Sequence, residues 1–198
     1  MKIGVLGTGM VGQTIATKLA SLDHEVRMGS REAGNEKAVA WAKDAGGNAS
    51  EGSFAEAAKF GELVVNCTAG VASVDVLTAA GADNLAGKVL VDIANPLDAS
   101  QGLPPTLAFC NDDSLGERIQ AAFPEARVVK TLNTMNHELM VDPARVPANT
   151  PCSSAATTPM RRARSPCSWA ASAGPRTGSS TSVASPAPAA PRCTCPCG

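Results

Sequence analysis

Along the first 147 residues, short apolar runs alternate with stretches in which apolar positions recur every third or fourth residue. "KIGVLG" (2–7) ends in glycine and reads as a strand buried on both faces. In "GMVGQTIATKLASLDH" that follows, Val11, Ile15, Leu19 and Leu22 fall on one helical face. "EVRMGS" predicts a second strand, "AGNEKAVAWAKDAGG" a helix with a glycine stop, and "FAEAAKF" a short helix. Three more strands follow, in "ELVVNCTAG", "KVLVDIANP" and "ARVVKTLNT". The segments "VASVDVLTAAG" and "DSLGERIQAAFP" between them are helical, and "MNHELMVDP" begins another helix. Five strands separated by helices predict parallel pairing through right-handed crossovers.

That order implies a doubly wound parallel α/β sheet of Rossmann type, which binds ligands beyond the carboxyl ends of its strands. The candidate chemistry lies at those ends. Gly7, Thr8, Gly9, Met10, Val11 and Gly12 form GxGxxG, placed between a strand and a helix. The first glycine permits the tight turn, the second lets a pyrophosphate approach, and the third lets helix and strand pack closely. The helix N-terminus then offers N–H groups and partial positive charge. An NAD site usually carries a carboxylate at the end of the second strand. This chain has Ser30 and Arg31 there, which suit a 2′-phosphate and favour NADP(H) over NAD. Glu32 lies within reach of Arg31 along the chain, and Lys37 is a further cation nearby.

Thr68 and Ala69, in "NCTAG", are small enough to let a dinucleotide come close. Asn95 offers hydrogen bonds to ribose or nicotinamide, or serves as a turn residue before Pro96. Thr131, Asn133 and Asn136 are placed to face the nicotinamide end. Cys67 reads as a packing residue and His137 as a surface or packing residue, because hydride transfer between carbon centres needs orientation more than a protein base. No catalytic acid, base or metal site is assigned.

Composition changes this picture only beyond residue 147. Residues 148–198 hold five arginines and no other charged residue, eight of the 14 prolines and five of the seven cysteines. They contain no Ile, Leu, Phe or Tyr. Such a segment buries too little apolar surface to offset the entropy of ordering. The expected division is therefore a nucleotide-binding domain over 1–147 and a disordered tail over 148–198, which leaves the sheet truncated.

The degenerate codons of the tail's closing "PAAPRCTCPCG" permit "RGTEMYLPLW" when read one base out of register. "PANTPCSSAATTPM" permits "GEHTVFVCGDDAD", and "SWAASAGPRT" permits "LGGFGWPED", in the same shifted frame. Three windows agreeing on one frame point to a frameshift near the Pro147 codon. A zinc clip, a disulfide framework and an arginine-rich RNA-binding tail fit less well: the cysteine spacing is wrong for zinc, and the charge is diffuse with no aromatic platform. Met1-Lys2 leads straight into a strand, and no stretch reaches the roughly 20 apolar residues of a membrane span. The expected location is the cytoplasm.

"KIGVLGTGMVGQTIATKLASLDHEVRMGSR", "KVLVDIANPL" and "ARVVKTLNTMN" together resemble the F420-dependent NADP reductase family over residues 1–147. The resemblance implies an NADP(H) site at Gly7–Gly12, Ser30 and Arg31. It implies hydride exchange between the nicotinamide and a deazaflavin, F420, or a related acceptor. Family members continue with further strands and a helical segment that closes the active site and often forms a homodimer. This chain departs from them there. A cofactor-binding remnant without turnover is therefore the alternative to an active oxidoreductase.

Overall fold

The computed structural model describes residues 1–145 and the backbone of 154–156. In chain order the elements are β1 (Lys2–Leu6), α1 (Met10–Ser21), β2 (Glu25–Ser30), α2 (Glu36–Ala45), β3 (Ala49–Ser53), α3 (Phe54–Phe60), β4 (Leu63–Asn66), α4 (Ser73–Ala80), α5 (Ala82–Leu85) and β5 (Val89–Asp92). Then come β6 (Leu97–Asp98), β7 (Thr106–Leu107), α6 (Leu115–Ala122), β8 (Arg127–Thr131), α7 (His137–Val141) and β9 (Ser154–Ala156). The main sheet runs β3-β2-β1-β4-β5-β8-β9. All its pairings are parallel except that of β9 with β8, which is antiparallel.

The chain winds outward from β1 in both directions, so the fold is the Rossmann-type α/β sheet that the strand–helix alternation implies. One of its six parallel strands, β3, carries no apolar run ("ASEGS") and has no counterpart among the five expected strands. β6 and β7 form a small separate antiparallel pair. β9 lies beyond the expected domain boundary at residue 147 and continues the sheet. The rest of the expected tail, with its disorder and its cysteine repeat, lies outside the described residues.

Alternate positions along the central strands feed two cores, one on each face of the sheet. Leu6, Val64, Leu90 and Val128 pack with Phe54, Leu77 and Ile119 on one side. Ile3, Val5, Val26, Met28 and Val65 pack with Ile15, Leu19 and Trp41 on the other. Burial on both faces explains why the parallel strands read as unbroken apolar runs. A Cβ on Gly4 would overlap the Ala57 carbonyl, so α3 lies directly against β1. α3 is started by a capping box: the Ser53 hydroxyl accepts from the Glu56 N–H, and the Glu56 carboxylate accepts from the Ser53 N–H at 2.7 Å. The bond from the Ser53 N–H holds the Glu56 carboxyl below its ordinary range. Among the described residues, no helix is long and apolar enough to cross a membrane.

Candidate active site

The strand order reverses between β1 and β4, which places a crevice at their carboxyl ends. The β1–α1 turn closes one side of it. Gly7 has φ +117°, a conformation side chains disfavour, and its N–H donates to the Gly29 carbonyl at 3.0 Å. A Cβ on Gly7 would stand 2.8 Å from the Cys67 carbonyl oxygen, and one on Gly12 would overlap the Gly7 carbonyl. These two glycines let turn, helix and β4 meet. Gly9 differs from both. A Cβ built on it meets nothing within 4 Å, so its backbone faces open space at the start of α1. Among the described residues no side chain caps that helix, and its first turn carries no acidic residue. A glycine with room above it and an uncapped helix N-terminus fit the pyrophosphate of a dinucleotide.

Thr8, Met10 and Val11 complete the turn. The Thr8 carbonyl accepts from Gln13 Nε2 at 3.0 Å, and the side chain of Met10 is exposed. Thr14 Oγ1 donates to the Met10 carbonyl and lies 3.0 Å from His137 Nδ1. His137 thus fastens α7 to α1. Cys67 also packs: its Cβ lies 3.5 Å from a Cβ position on Gly12. Burial pushes its thiol far above the ordinary range, and the Asp92 carboxylate adds to the shift. At neutral pH Cys67 is therefore expected to resist alkylation in the folded protein, whereas exposed Cys110 reacts. Peptide mapping after iodoacetamide treatment checks this; equal labelling of the two would contradict it.

Ser30 and Arg31 stand where β2 ends. Ser30 is buried, and its hydroxyl donates to the Glu32 carbonyl at 2.5 Å. Its proton is committed to the turn. Arg31 is exposed and lines a shallow cleft with Glu32, Ala33, Gly34 and Asn35. Among the described residues it forms no ion pair; Glu32, its neighbour in sequence, does not engage it. The floor of the cleft is fixed by the Gly34 N–H, which donates to Glu51 Oε2 at 3.0 Å, and by Asn35, whose side chain caps α2. Lys37 is exposed in the first turn of α2.

Across the crevice, the Thr68 hydroxyl donates to Asn66 Oδ1 at 2.7 Å, and Ala69 is exposed at the loop's tip. Asn95 is engaged on both sides of its amide. Its Nδ2 donates to the Asn133 carbonyl at 2.7 Å, and its Oδ1 accepts from Asn133 Nδ2 at 3.0 Å. These bonds tie the loop of Asn95 to the loop that follows β8. Asn136 caps α7, accepting from the Glu138 N–H, and Thr131 ends β8 half-buried.

Sequence reasoning missed the groups beneath these loops: Asn66, Asp92 and Lys130. They are register partners on β4, β5 and β8. Each ends or nearly ends an apolar run, and that shared level is the signal that could have found them. Among the described residues, no cluster of His, Cys, Asp or Glu is placed to hold a metal ion.

A six-stranded parallel sheet with a glycine turn at its switch point defines a Rossmann-type domain of the dinucleotide-binding class. Residues 2–96 match the family described as NADP oxidoreductase, coenzyme F420-dependent. A protein from Arthrobacter sp. FB24, provisionally named an F420-dependent NADP reductase, is 56% identical with a TM-score of 0.69, over 74% of this chain and 68% of that one. The chain belongs to this F420-dependent NADP oxidoreductase family. A hypothetical protein from Sinorhizobium meliloti shares the fold at 18% identity and a TM-score of 0.58, over 70% of this chain and 64% of that one. A reductive aminase from Aspergillus terreus, in complex with NADPH and ethyl-5-oxohexanoate, shares it at 19% and 0.52, over 70% and 42%. No curated protein matches the chain.

Proposed function

We propose that this protein binds NADP(H) across the β1/β4 crevice and exchanges hydride between the nicotinamide and a deazaflavin such as F420, or a related acceptor. Family membership supports the cofactor class. The observation that carries the site is the pairing of open backbone at Gly9 with an Arg31 guanidinium that forms no ion pair among the described residues. Bound NADPH would supply the hydride from nicotinamide C4. The chain's own residues bind and orient it. Gly7, Gly9 and Gly12 with the N-terminus of α1 hold the pyrophosphate; Thr8, Met10 and Val11 give the turn its shape. Ser30 sets the bend that carries Arg31, and Arg31 takes the 2′-phosphate through charge-assisted hydrogen bonds. Thr68, Ala69 and Asn95 bound the nicotinamide side. Holding the ring against the acceptor supplies the rate, so no protein base is required.

A second reading is a chain that binds NADP(H) without turnover. The composition break after residue 147 favours it, because the family's acceptor-closing and dimer-forming segment falls there. The match to the Arthrobacter protein spans about 147 of this chain's 198 residues, the length of the part before the break. Calorimetric titration with NADPH, followed by a spectroscopic F420-reduction assay, separates the readings. Binding with turnover supports the oxidoreductase, binding alone supports the remnant, and no binding removes both.

A further inference from the structure

A chain of polar groups lies buried beneath the nicotinamide side of the crevice. Asn66 and Asp92 are fully buried, in strands otherwise apolar. Asp92 Oδ2 accepts from Lys130 Nζ at 2.8 Å, and Asp92 Oδ1 accepts from Asn66 Nδ2 at 2.9 Å and from the Ala94 N–H at 3.2 Å. Lys130 Nζ also donates to the Ala94 carbonyl. Asn66 Nδ2 donates to Ser73 Oγ at 2.9 Å, while Asn66 Oδ1 accepts from the Thr68 N–H and hydroxyl. Among the described residues, no buried side-chain polar atom lacks a partner.

Stability alone gives little reason for this arrangement, since a buried ion pair replaced by well-packed apolar side chains is often neutral or stabilising. The bonds that leave the chain explain it better. Besides the bond to Ser73 at the start of α4, they end at Thr68 and at Ala94, on the two loops that wall the crevice opposite Arg31. Those loops also touch, through the Gly70 N–H donating to the Asn95 carbonyl at 3.1 Å. The first loop in turn lies against the glycine turn, with Thr68 Cγ2 3.4 Å from a Cβ position on Gly7. Lys130 Nζ reaches both the Asp92 carboxylate and the backbone carbonyl of Ala94 in the second loop.

We propose that Lys130 is a positioning residue for the nicotinamide half of the cofactor. By binding Asp92 and the Ala94 carbonyl together, it fixes the spacing of the 67–70 and 93–97 loops. This rests on the NADP(H) reading above. The test compares two ligands by calorimetry on the full chain: NADPH, and adenosine 2′,5′-bisphosphate, which ends at the adenosine half. Lys130→Met should weaken NADPH about tenfold, the loss of roughly one charge-assisted hydrogen bond's contribution, and leave the bisphosphate within about twofold. Lys130→Arg, which can still bridge Asp92 and the carbonyl, should recover most of the loss. Lys130→Met with Asp92→Asn leaves no unpaired buried charge, so it keeps the fold if the single variant does not. It should show the same split between ligands. Equal weakening of both ligands, or undiminished NADPH binding in the double variant, overturns the proposal. A wild-type chain that fails to bind the bisphosphate instead sinks the cofactor reading beneath it, and the proposal with it.

Discussion

Arg31→Asp is expected to weaken NADPH by about 100-fold or more while NADH changes by less than about threefold. The reasoning starts from the ribose corner. A 2′-phosphate is a dianion with several acceptor oxygens, and it gains most from a planar guanidinium that can donate twice. Arg31 is free to do so, since it forms no ion pair among the described residues. The same freedom means that the fold does not depend on it, so its removal should leave the thermal midpoint unchanged. Aspartate removes the two donors and adds a repelling charge, but only toward the phosphorylated ribose. NADH carries hydroxyls there, which a carboxylate can accept from. Calorimetric titration of both nucleotides into both proteins measures the ratio. Equal losses for the two would mean that Arg31 does not contact the phosphate, and the preference for NADP(H) would have to come from elsewhere.

The parts of this site legible in the sequence were those whose chemistry is local. The glycine turn announces itself because three residues within one turn serve a strand end and a helix start. Arg31 follows from one position, the end of β2. The strands on either side of β1 are visible because both of their faces are buried. β3 was hidden for the opposite reason. It lies at the sheet edge, its residues are small or polar, and its pairing with β2 is dictated by the neighbouring strand and not by its own pattern. Ser30 shows a subtler limit. Its type suits a phosphate, yet its proton goes to the Glu32 carbonyl, a choice set by the local bend. The Asn66–Asp92–Lys130 chain needed the register of three strands, which no single segment contains. Asn95 likewise acquires its partner, Asn133, from a loop 38 residues away.

Restoring the reading frame at the Pro147 codon is expected to raise the thermal midpoint by about 10 °C. β8 is the last parallel strand, and beyond it β9 offers three residues, Ser154, Ala155 and Ala156, as backbone partners of Thr131, Lys130 and Val129. None of the three is a large apolar residue. In the shifted frame the codons of residues 149–156 permit "HTVFVCG", whose valines and phenylalanine have the β-propensity and bulk of a sheet strand. Each large apolar side chain buried contributes about 1.5–3 kcal/mol. A few of them amount to a sizeable part of the 5–15 kcal/mol typical of a domain. The shifted frame also permits acidic residues, Leu and Tyr, which a packed and soluble segment needs. If that segment also closes the acceptor side, the repaired chain should reduce F420 with NADPH more rapidly than the present one. Circular dichroism melts of the two chains, at matched concentration, read the first effect. A repaired chain that melts at or below the present midpoint would leave no stabilising role for the recovered residues. Resequenced coding DNA with no base missing or added relative to close relatives would remove the frameshift altogether.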